Sequence, residues 1–205
     1  MIEFFFDCSS PWTYLAFHNL QPMARELGVE VRWRPILVGG IFNSVNPSVY
    51  EFRTRGVPAK QLYQLKDLKD WARKAALTIK FPPAVFPVNS VKAMRGCLLL
   101  ESEGKLVPFA SEVFAAYWTQ GRDISQDEVL ADLCSRIGAE PQRFLEGIAR
   151  PEVKEQLKAN TDEAIARGAF GSPTIFVGGD DMYFGNDRLE LVRDAVLRRQ
   201  AADVS

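Results

Sequence analysis

The opening of the chain shows a change of hydrophobic pattern that predicts a β-α-β unit. The run "IEFFF" is apolar at every position except Glu3, which is typical of a strand buried on both faces of a sheet. Apolar residues from Phe17 to Leu27 then recur at helical spacing, and Gly28 stands where a helix-ending glycine belongs. The next stretch, "VEVRWRP", alternates apolar and polar residues up to Pro35, as a second strand does. Two such strands, joined through a helix, are expected to be parallel with a right-handed crossover.

The middle of the chain is predicted to be entirely helical. Between about Gln61 and Asn160 no stretch resembles a strand. The segment "QLYQLKDLKDWARKAA" places Leu62, Leu65 and Leu68 on one stripe, which is expected to face the core. The pattern therefore predicts a long helical segment after the second strand.

The end of the chain returns to a strand pattern. The stretch "PTIFVGGDDMYFG" is typical of two short strands joined by a Gly-Gly-Asp-Asp turn, and "NDRLELVRDAVLRRQ" has the spacing of a closing amphipathic helix. We predict an α/β fold with one mixed sheet. Residues 1–38 and 169–205 are expected to form the sheet and its flanking helices, interrupted by a large all-helical insertion over residues 39–168.

Composition and charge narrow the classes of function. The chain has 205 residues and a formal net charge of −1, so no basic field favours nucleic acid or a membrane surface. No run reaches the roughly 18 to 20 apolar residues of a membrane span, and the N-terminus lacks the pattern of a targeting segment. Cys8, Cys97 and Cys134 are widely spaced and His18 is the one histidine. No disulfide framework or metal site is therefore predicted, and a reducing compartment is expected.

The stretch "DCSSPWTY" places small hydroxyl side chains where the first strand leads into the first helix. A helix N-terminus has unpaired backbone N–H groups and the positive end of the helix dipole, so it attracts anions. A hydroxyl there can donate a hydrogen bond to a thiolate and lower the pKa of the thiol. The alternative is that Ser9 or Ser10 is an ordinary N-cap residue, which stabilises the helix by about 1 kcal/mol and does no more.

This order of elements, with "SPWT" after the first strand and "GSPT" before the third, resembles the thioredoxin superfamily with a helical insertion. In redox members of that superfamily the first turn is Cys-Pro-x-Cys, and here the same four positions are Ser10, Pro11, Trp12 and Thr13. No disulfide can form between Ser10 and Thr13, so dithiol exchange is not expected at this turn. The ligand suggested instead is an external thiol, namely glutathione.

The stretches "SSPWTYLAF" and "FGNDRLE", with the helical insertion between them, resemble the kappa-class glutathione transferases and the 2-hydroxychromene-2-carboxylate isomerases. The resemblance covers essentially the whole chain. It implies that Ser10 contacts the glutathione sulfur and that Ser172, before a cis-proline at Pro173, pairs its backbone with the cysteinyl part of glutathione. It also implies that Asn186 and Asp187 bind the γ-glutamyl end.

The same resemblance suggests residues for the substrate. Asn46, in "NSVN", matches a family asparagine that lies near both substrate and glutathione. Asn89, in "FPVNS", is a second expected substrate contact, and Trp12 is expected either to line the pocket or to pack in the core.

One position departs from the isomerase pattern. The isomerases usually carry a lysine shortly before the asparagine that Asn46 matches, and this chain has Asn43 there. A positive charge for a substrate carboxylate would then have to come from Lys66, Arg53 or Arg55.

Structural roles are open alternatives for the other expected site residues. Pro173 could be a trans proline at the start of a strand. Asn186 and Asp187 could cap the last helix, because Asp187 and Glu190 have the spacing of a capping box. These roles are compatible with ligand binding, since a helix N-terminus that holds a ligand still needs its own N–H groups satisfied.

The resemblance predicts a glutathione-dependent isomerase that interconverts 2-hydroxychromene-2-carboxylate and trans-o-hydroxybenzylidenepyruvate, or a similar aryl pyruvate, in aromatic catabolism. A kappa-class glutathione transferase is the alternative, and a non-catalytic thioredoxin-like binding module is a third. The expected partners are a small aromatic substrate and a second copy of the chain in a homodimer. The expected location is the cytoplasm.

Overall fold

The structure, a computed structural model, describes residues 1–203 apart from the side chains of Arg53, Thr54 and Asp203. Four strands form one sheet in the order β2-β1-β3-β4. β1 pairs with β2 in parallel and with β3 antiparallel, and β3 pairs antiparallel with β4, so the predicted mixed sheet is confirmed. The strands are β1 (Ile2–Phe6), β2 (Val31–Pro35), β3 (Thr174–Val177) and β4 (Asp181–Phe184).

Helices account for the rest of the regular structure, and none of the residues described between β2 and β3 belongs to a strand, as the pattern predicted. A π-helical turn, Ala115–Thr119, extends α6, and a 3-10 turn, Asn186–Arg188, precedes α10. The described residues contain no helix with the length and hydropathy that crossing a membrane requires. The α-helices are α1 (Pro11–Glu26), α2 (Val38–Val45), α3 (Ser48–Arg55), α4 (Pro58–Lys74), α5 (Val91–Leu99), α6 (Leu106–Phe114), α7 (Asp127–Arg136), α8 (Pro141–Gly147), α9 (Pro151–Ala166) and α10 (Leu189–Asp203).

β1 is the central strand, and its two faces enter different clusters. Phe4 and Phe6 pack with Phe17 of α1 on one face. Phe5 packs edge-on against Phe176 of β3 on the other face, with the ring centroids 5.6 Å apart. This explains why "IEFFF" shows no alternation, because a strand covered on both faces has an apolar position at nearly every residue.

The helical segment and the sheet share one hydrophobic core. Met94 of α5, Phe109 of α6 and Phe114 of α6 belong to the same buried cluster as Phe6 and Phe17. Phe114 lies 5.1 Å from Phe17 between ring centroids. The helices therefore pack directly on the sheet unit, and the division of the chain into residues 1–38 with 169–205 and residues 39–168 stays a prediction.

The apolar stripe of α4 faces inward over only half of the helix. Leu68 is buried against Leu15 of α1, whereas Leu62 is 68% exposed and Leu65 is 38% exposed. The expectation for Leu62 and Leu65 was wrong. The reason is that the second half of α4 packs on α1, while the first half lies beyond it.

Candidate active site

α1 begins at the turn that the sequence singled out. Ser10 is the N-cap residue, with an extended backbone (φ −109°, ψ 125°), and Pro11 is the first helical residue. The Ser10 hydroxyl oxygen accepts a hydrogen bond from the backbone N–H of Thr13, at 3.2 Å. Ser10 is therefore the N-cap residue of α1. The cap uses a lone pair of the hydroxyl oxygen, so the O–H group can still donate a hydrogen bond.

The O–H group of Ser10 donates only a weak hydrogen bond. The Ser10 hydroxyl donates to the backbone carbonyl of Ser172 at 3.3 Å. A hydrogen bond between a hydroxyl and an oxygen is usually 2.7–2.8 Å long, so this contact is weak. A better acceptor placed near Ser10 can accept this hydrogen bond without breaking the cap, because the cap uses only a lone pair of the hydroxyl oxygen.

The turn before β3 is fastened to the start of α1. The Ser172–Pro173 peptide bond is cis, as predicted. The Ser172 hydroxyl accepts from the backbone N–H of Asp7 at 3.0 Å and lies 2.8 Å from the Thr13 hydroxyl. Ser172 and Thr13 are both buried. These bonds hold the carbonyl of Ser172 beside Ser10, with both groups facing the same space.

Asp7 is a part of the site that sequence reasoning treated only as the end of a strand. Its carboxylate oxygens accept from the backbone N–H groups of Ser9 and Val38, each at 2.9 Å. Burial raises the pKa of Asp7, and hydrogen bonds from Ser9, Val38 and Ser90 oppose that rise. The carboxylate thus connects the C-terminal end of β1 with the segments that lead into α1 and α2. An acidic residue directly after the three phenylalanines of a buried strand was the signal that could have found it.

A large open cavity lies in front of Ser10. Its volume is about 870 Å³, and Asp7, Ser10 and Ser172 are among the residues of its wall. Much of the remaining wall is aromatic and comes from several separate segments of the chain. These aromatic residues include Trp12, Phe42, Tyr50, Phe81, Phe86 and Phe170.

The three residues expected to contact substrate all line this cavity. Asn46 donates to the carbonyl of Phe170 at 3.0 Å and accepts from the Ser48 hydroxyl at 2.8 Å. Asn89 uses its side-chain oxygen to accept from the backbone N–H of Val91 at 3.0 Å, and its amide group stays exposed. Trp12 is half-buried in the wall. The structure therefore places these two amide side chains in the wall of the same cavity as the aromatic residues.

Asn186 and Asp187 lie in the 3-10 turn before α10, outside the wall of the large cavity. This turn is joined to the cis-proline turn, because the Gly185 N–H donates to the carbonyl of Pro173 at 3.2 Å. The side-chain oxygen of Asn186 accepts from Asn19 of α1 at 3.1 Å. The side-chain nitrogen of Asn186 is buried and has no hydrogen-bond partner among the described residues. Such an unpartnered donor costs free energy unless a ligand or water completes it.

The expected sources of positive charge do not line the cavity where the structure describes them. Asn43 accepts from the Tyr50 hydroxyl at 2.9 Å. Lys66 forms an ion pair with Asp70, and neither Lys66 nor Arg55 belongs to the cavity wall. The side chain of Arg53 lies outside the described part of the chain.

The cysteine beside the site is not available for chemistry. Cys8 is fully buried, and burial together with its neighbour Cys97 raises the pKa of its thiol well above the usual range. A thiol reacts as the thiolate, so a buried thiol with a raised pKa is inert. His18 lies on α1 and is exposed.

Comparison with known proteins identifies the family of the chain. The model of the DSBA-like thioredoxin domain matches residues 1–197. The chain therefore belongs to the DSBA-like thioredoxin family, and the predicted thioredoxin-like fold is confirmed.

Its relatives within that family are named enzymes. The chain is 30% identical to 2-hydroxychromene-2-carboxylate isomerase of Pseudomonas putida, over 100% of this chain and 99% of the isomerase. It is also 30% identical to glutathione S-transferase kappa 1 of Homo sapiens, over 93% of this chain and 88% of the transferase. A solved structure of a 2-hydroxychromene-2-carboxylate isomerase superposes with a TM-score of 0.84 at 30% identity, covering 100% of this chain and 98% of that one. The predictions of the isomerase and transferase group and of an enzyme are confirmed, which leaves the binding-module alternative without support.

Proposed function

We propose that the protein is a glutathione-dependent cis-trans isomerase that converts 2-hydroxychromene-2-carboxylate to trans-o-hydroxybenzylidenepyruvate, or acts on a similar aryl pyruvate. The observation that carries the proposal is the Ser10 hydroxyl. Its lone pair is used by the cap of α1, and its proton is held only by a 3.3 Å contact. This donor stands at a helix N-terminus and faces an aromatic cavity.

The residues of the site fit glutathione. Ser10 offers one donor to a thiolate, and the N-terminus of α1 favours the negative charge. The Ser172 carbonyl takes a long 3.3 Å contact from Ser10 and can pair with an extended peptide instead. In the neighbouring turn, where the γ-glutamyl group is expected, Asn186 has a buried amide nitrogen that no described residue partners. When bound, glutathione would supply a thiolate that adds reversibly to a conjugated double bond and so allows that bond to rotate.

The chain's own residues account for the remaining requirements of such a reaction. The Ser10 hydroxyl would donate a hydrogen bond to the thiolate sulfur and so stabilise its negative charge. Asn46 and Asn89 place amide groups in the same wall, where they can donate to oxygens of the substrate. Trp12 and the other aromatic side chains offer flat apolar surface to an aryl ring. The cavity volume of about 870 Å³ lies near the top of the range of about 300–1,000 Å³ for small-molecule sites, which suits a peptide and an aryl substrate together.

A kappa-class glutathione transferase is the second candidate. Asn43 occupies the position where the isomerases usually have a lysine, and this favours a substrate without the carboxylate. The transferase reaction needs the same stabilised thiolate at Ser10, but the sulfur stays in the product.

One assay separates the two reactions. Protein stripped of glutathione is given an aryl-pyruvate substrate together with glutathione at a lower concentration than the substrate. An isomerase completes many turnovers per glutathione and leaves the free thiol undiminished. A transferase stops when the thiol is consumed. Equal rates with and without glutathione would contradict both candidates.

We also propose a cytoplasmic homodimer, as the family resemblance implies. Leu62 and Tyr63 of α4 are 68% and 61% exposed, and they supply apolar surface for such a contact. Light scattering of the purified protein measures the mass in solution, and a monomer mass at micromolar concentration would contradict the dimer.

A further inference from the structure

A second cavity lies on the other side of α2. Its volume is about 290 Å³, and residues of α2, α5 and α9 line it, with one side open to solvent. Leu37 and Gly40 line both cavities, so this part of α2 is a wall between them. Leu157 and Ile165 of α9 give the second cavity an apolar side.

Arg95 of α5 is half-buried and lines this cavity. Its Nε is buried and makes no hydrogen bond, and no ion pair or hydrogen bond of its guanidinium occurs within the described residues. The other arginines that lie against the interior are paired. Arg34 and Arg167, for example, share Glu3 and Glu163. A buried polar atom without a partner costs free energy, so the Nε–H of the half-buried Arg95 favours an anion that the described residues do not supply.

The neighbouring charges do not neutralise Arg95. Lys154 and Lys158 of α9 line the same cavity, and Asp162 is the one acidic residue among its described lining residues. Asp162 already forms an ion pair with Lys158. Arg95 and Lys154 therefore leave a local excess of positive charge next to the apolar side chains of α9.

We propose that this second cavity binds a small carboxylate with an apolar body. The planar guanidinium of Arg95 matches the two oxygens of a carboxylate, and Lys154 adds a second positive charge. Leu37, Leu157 and Ile165 contact the apolar body. The volume of about 290 Å³ corresponds to the lower end of small-molecule sites, which limits the ligand to roughly one ring or a short chain.

The probe for this site is benzoate, followed by NMR of the arginine Nε–Hε groups. The signal that disappears in Arg95→Met is that of Arg95. We expect benzoate to shift this signal in a saturable way. Arg95→Met should weaken benzoate binding at this site by about tenfold to a hundredfold, since it removes hydrogen bonds between charged groups. Lys92→Met is the matched control, because Lys92 lies on the same helix and is already paired with Asp127. It should leave binding unchanged.

Two further probes identify what the cavity recognises. Benzamide has the ring without the charge, and inorganic phosphate has the charge without an apolar body. Both should bind more weakly than benzoate. An Arg95 signal that saturating benzoate does not move, or that benzamide moves equally well, would overturn the proposal. Ser10→Ala should keep the response, because this cavity does not depend on the proposed function of the larger one.

Stability separates a ligand-binding arginine from a structural one. Without benzoate, Arg95→Met should unfold at the same temperature as the unmodified protein or at a higher one, because no partner is lost. A clear loss of stability would show that Arg95 supports the fold and would count against the proposal. If Arg95→Met does not fold, Arg95→Lys keeps the charge and loses the planar fork. Benzoate binding by Arg95→Lys at full strength would then overturn the assignment.

Discussion

Two polar clusters lie against the same sheet and differ in how completely they are paired. The arginine–glutamate network consists of Glu3, Arg34, Glu163 and Arg167, on the face that carries Phe5. Arg167 lies 2.8 Å from Glu3 and 3.1 Å from Glu163, and Arg34 contacts the same two carboxylates. Every charge in this network has an opposite charge beside it.

The second group is the hydroxyl cluster, which consists of Ser10, Thr13 and Ser172 with the carboxylate of Asp7. It has no cation among the described residues, and its hydrogen bonds run between hydroxyls and backbone groups. Ser10 keeps a proton in a long contact of 3.3 Å. Every charge of the network is therefore paired without a ligand, whereas the hydroxyl cluster still has a hydrogen-bond donor to offer. We therefore expect changes in the network to alter stability and a change of the Ser10 hydroxyl to alter chemistry.

The largest effect on stability is expected from Arg34→Met. The side chains of Arg34 and Glu3 are 8% and 13% exposed, and loss of Arg34 leaves Glu3 and Glu163 with only Arg167. Removing one partner of a buried ion pair costs about 3–5 kcal/mol of the free energy of unfolding, and the lower end applies because Arg167 still contacts both glutamates. Urea unfolding measures this loss. Arg193→Met, which breaks the more exposed pair with Glu26, should cost much less. A large loss of glutathione affinity in Arg34→Met would remove the distinction between the two clusters.

The next effect concerns the rate. Ser10→Ala should keep glutathione bound, raise the pKa of its thiol and lower kcat/KM by about tenfold to a thousandfold, since one preorganised donor is lost. Ser10→Gly separates this role from capping, because alanine at an N-cap costs about 1 kcal/mol and glycine only a few tenths. Both variants should lose the same rate although they differ in stability. The thiolate absorbance as a function of pH and the steady-state rate are the measurements. A rate that follows stability would instead assign Ser10 to the cap alone.

A smaller effect is expected at the turn before α10. Asp187 is about half exposed and pairs with Arg188, so Asp187→Ala should leave the fold intact. Loss of a contact to the α-ammonium of glutathione at such an exposed position should weaken binding by about fivefold. Calorimetry measures this affinity. Asp180→Ala, in the exposed turn between β3 and β4, is the matched control. Equal affinities for both variants would argue against a γ-glutamyl site at Asp187.

The smallest effect is a dependence on pH. Burial raises the pKa of Asp7 in the folded state, so folding holds this proton more tightly than the unfolded chain does. The stability from the proton is fully present below the unfolded pKa of about 3.9 and is lost as the pH rises through the raised folded pKa. Asp7→Asn cannot ionise and should lack this slope. Its amide group also meets two backbone donors, so the variant should be less stable overall.

Unfolding free energies measured over a pH series test this slope. Asp123→Asn is the control, because hydrogen bonds from Ser125 lower the pKa of Asp123 and its slope has the opposite sign. Parallel pH curves for the unmodified protein and Asp7→Asn would contradict the assignment to Asp7.

Sequence alone was enough for features that depend on near neighbours. The strand at β1, the N-cap at Ser10 and the turn glycine at Gly28 each follow from a few consecutive residues. Hydrophobic periodicity and capping act over one or two turns of chain, so local patterns reveal them. The resemblance to a known family added the cis bond before Pro173, which no local pattern of this chain required.

Tertiary structure decided which distant groups meet. The contact between Ser10 and Ser172 joins residues 162 positions apart. The Asp7 carboxylate accepts a hydrogen bond from the N–H of Val38, at the start of another helix. Leu62 appeared to belong to an inward stripe, and only the position of α4 on α1 left it in solvent. Arg95 gave no sequence signal at all, because the lack of a partner is a property of everything around a side chain. Local pattern specifies the elements of this protein. The chemistry on each side of α2 depends on long-range packing, which no short stretch of sequence contains.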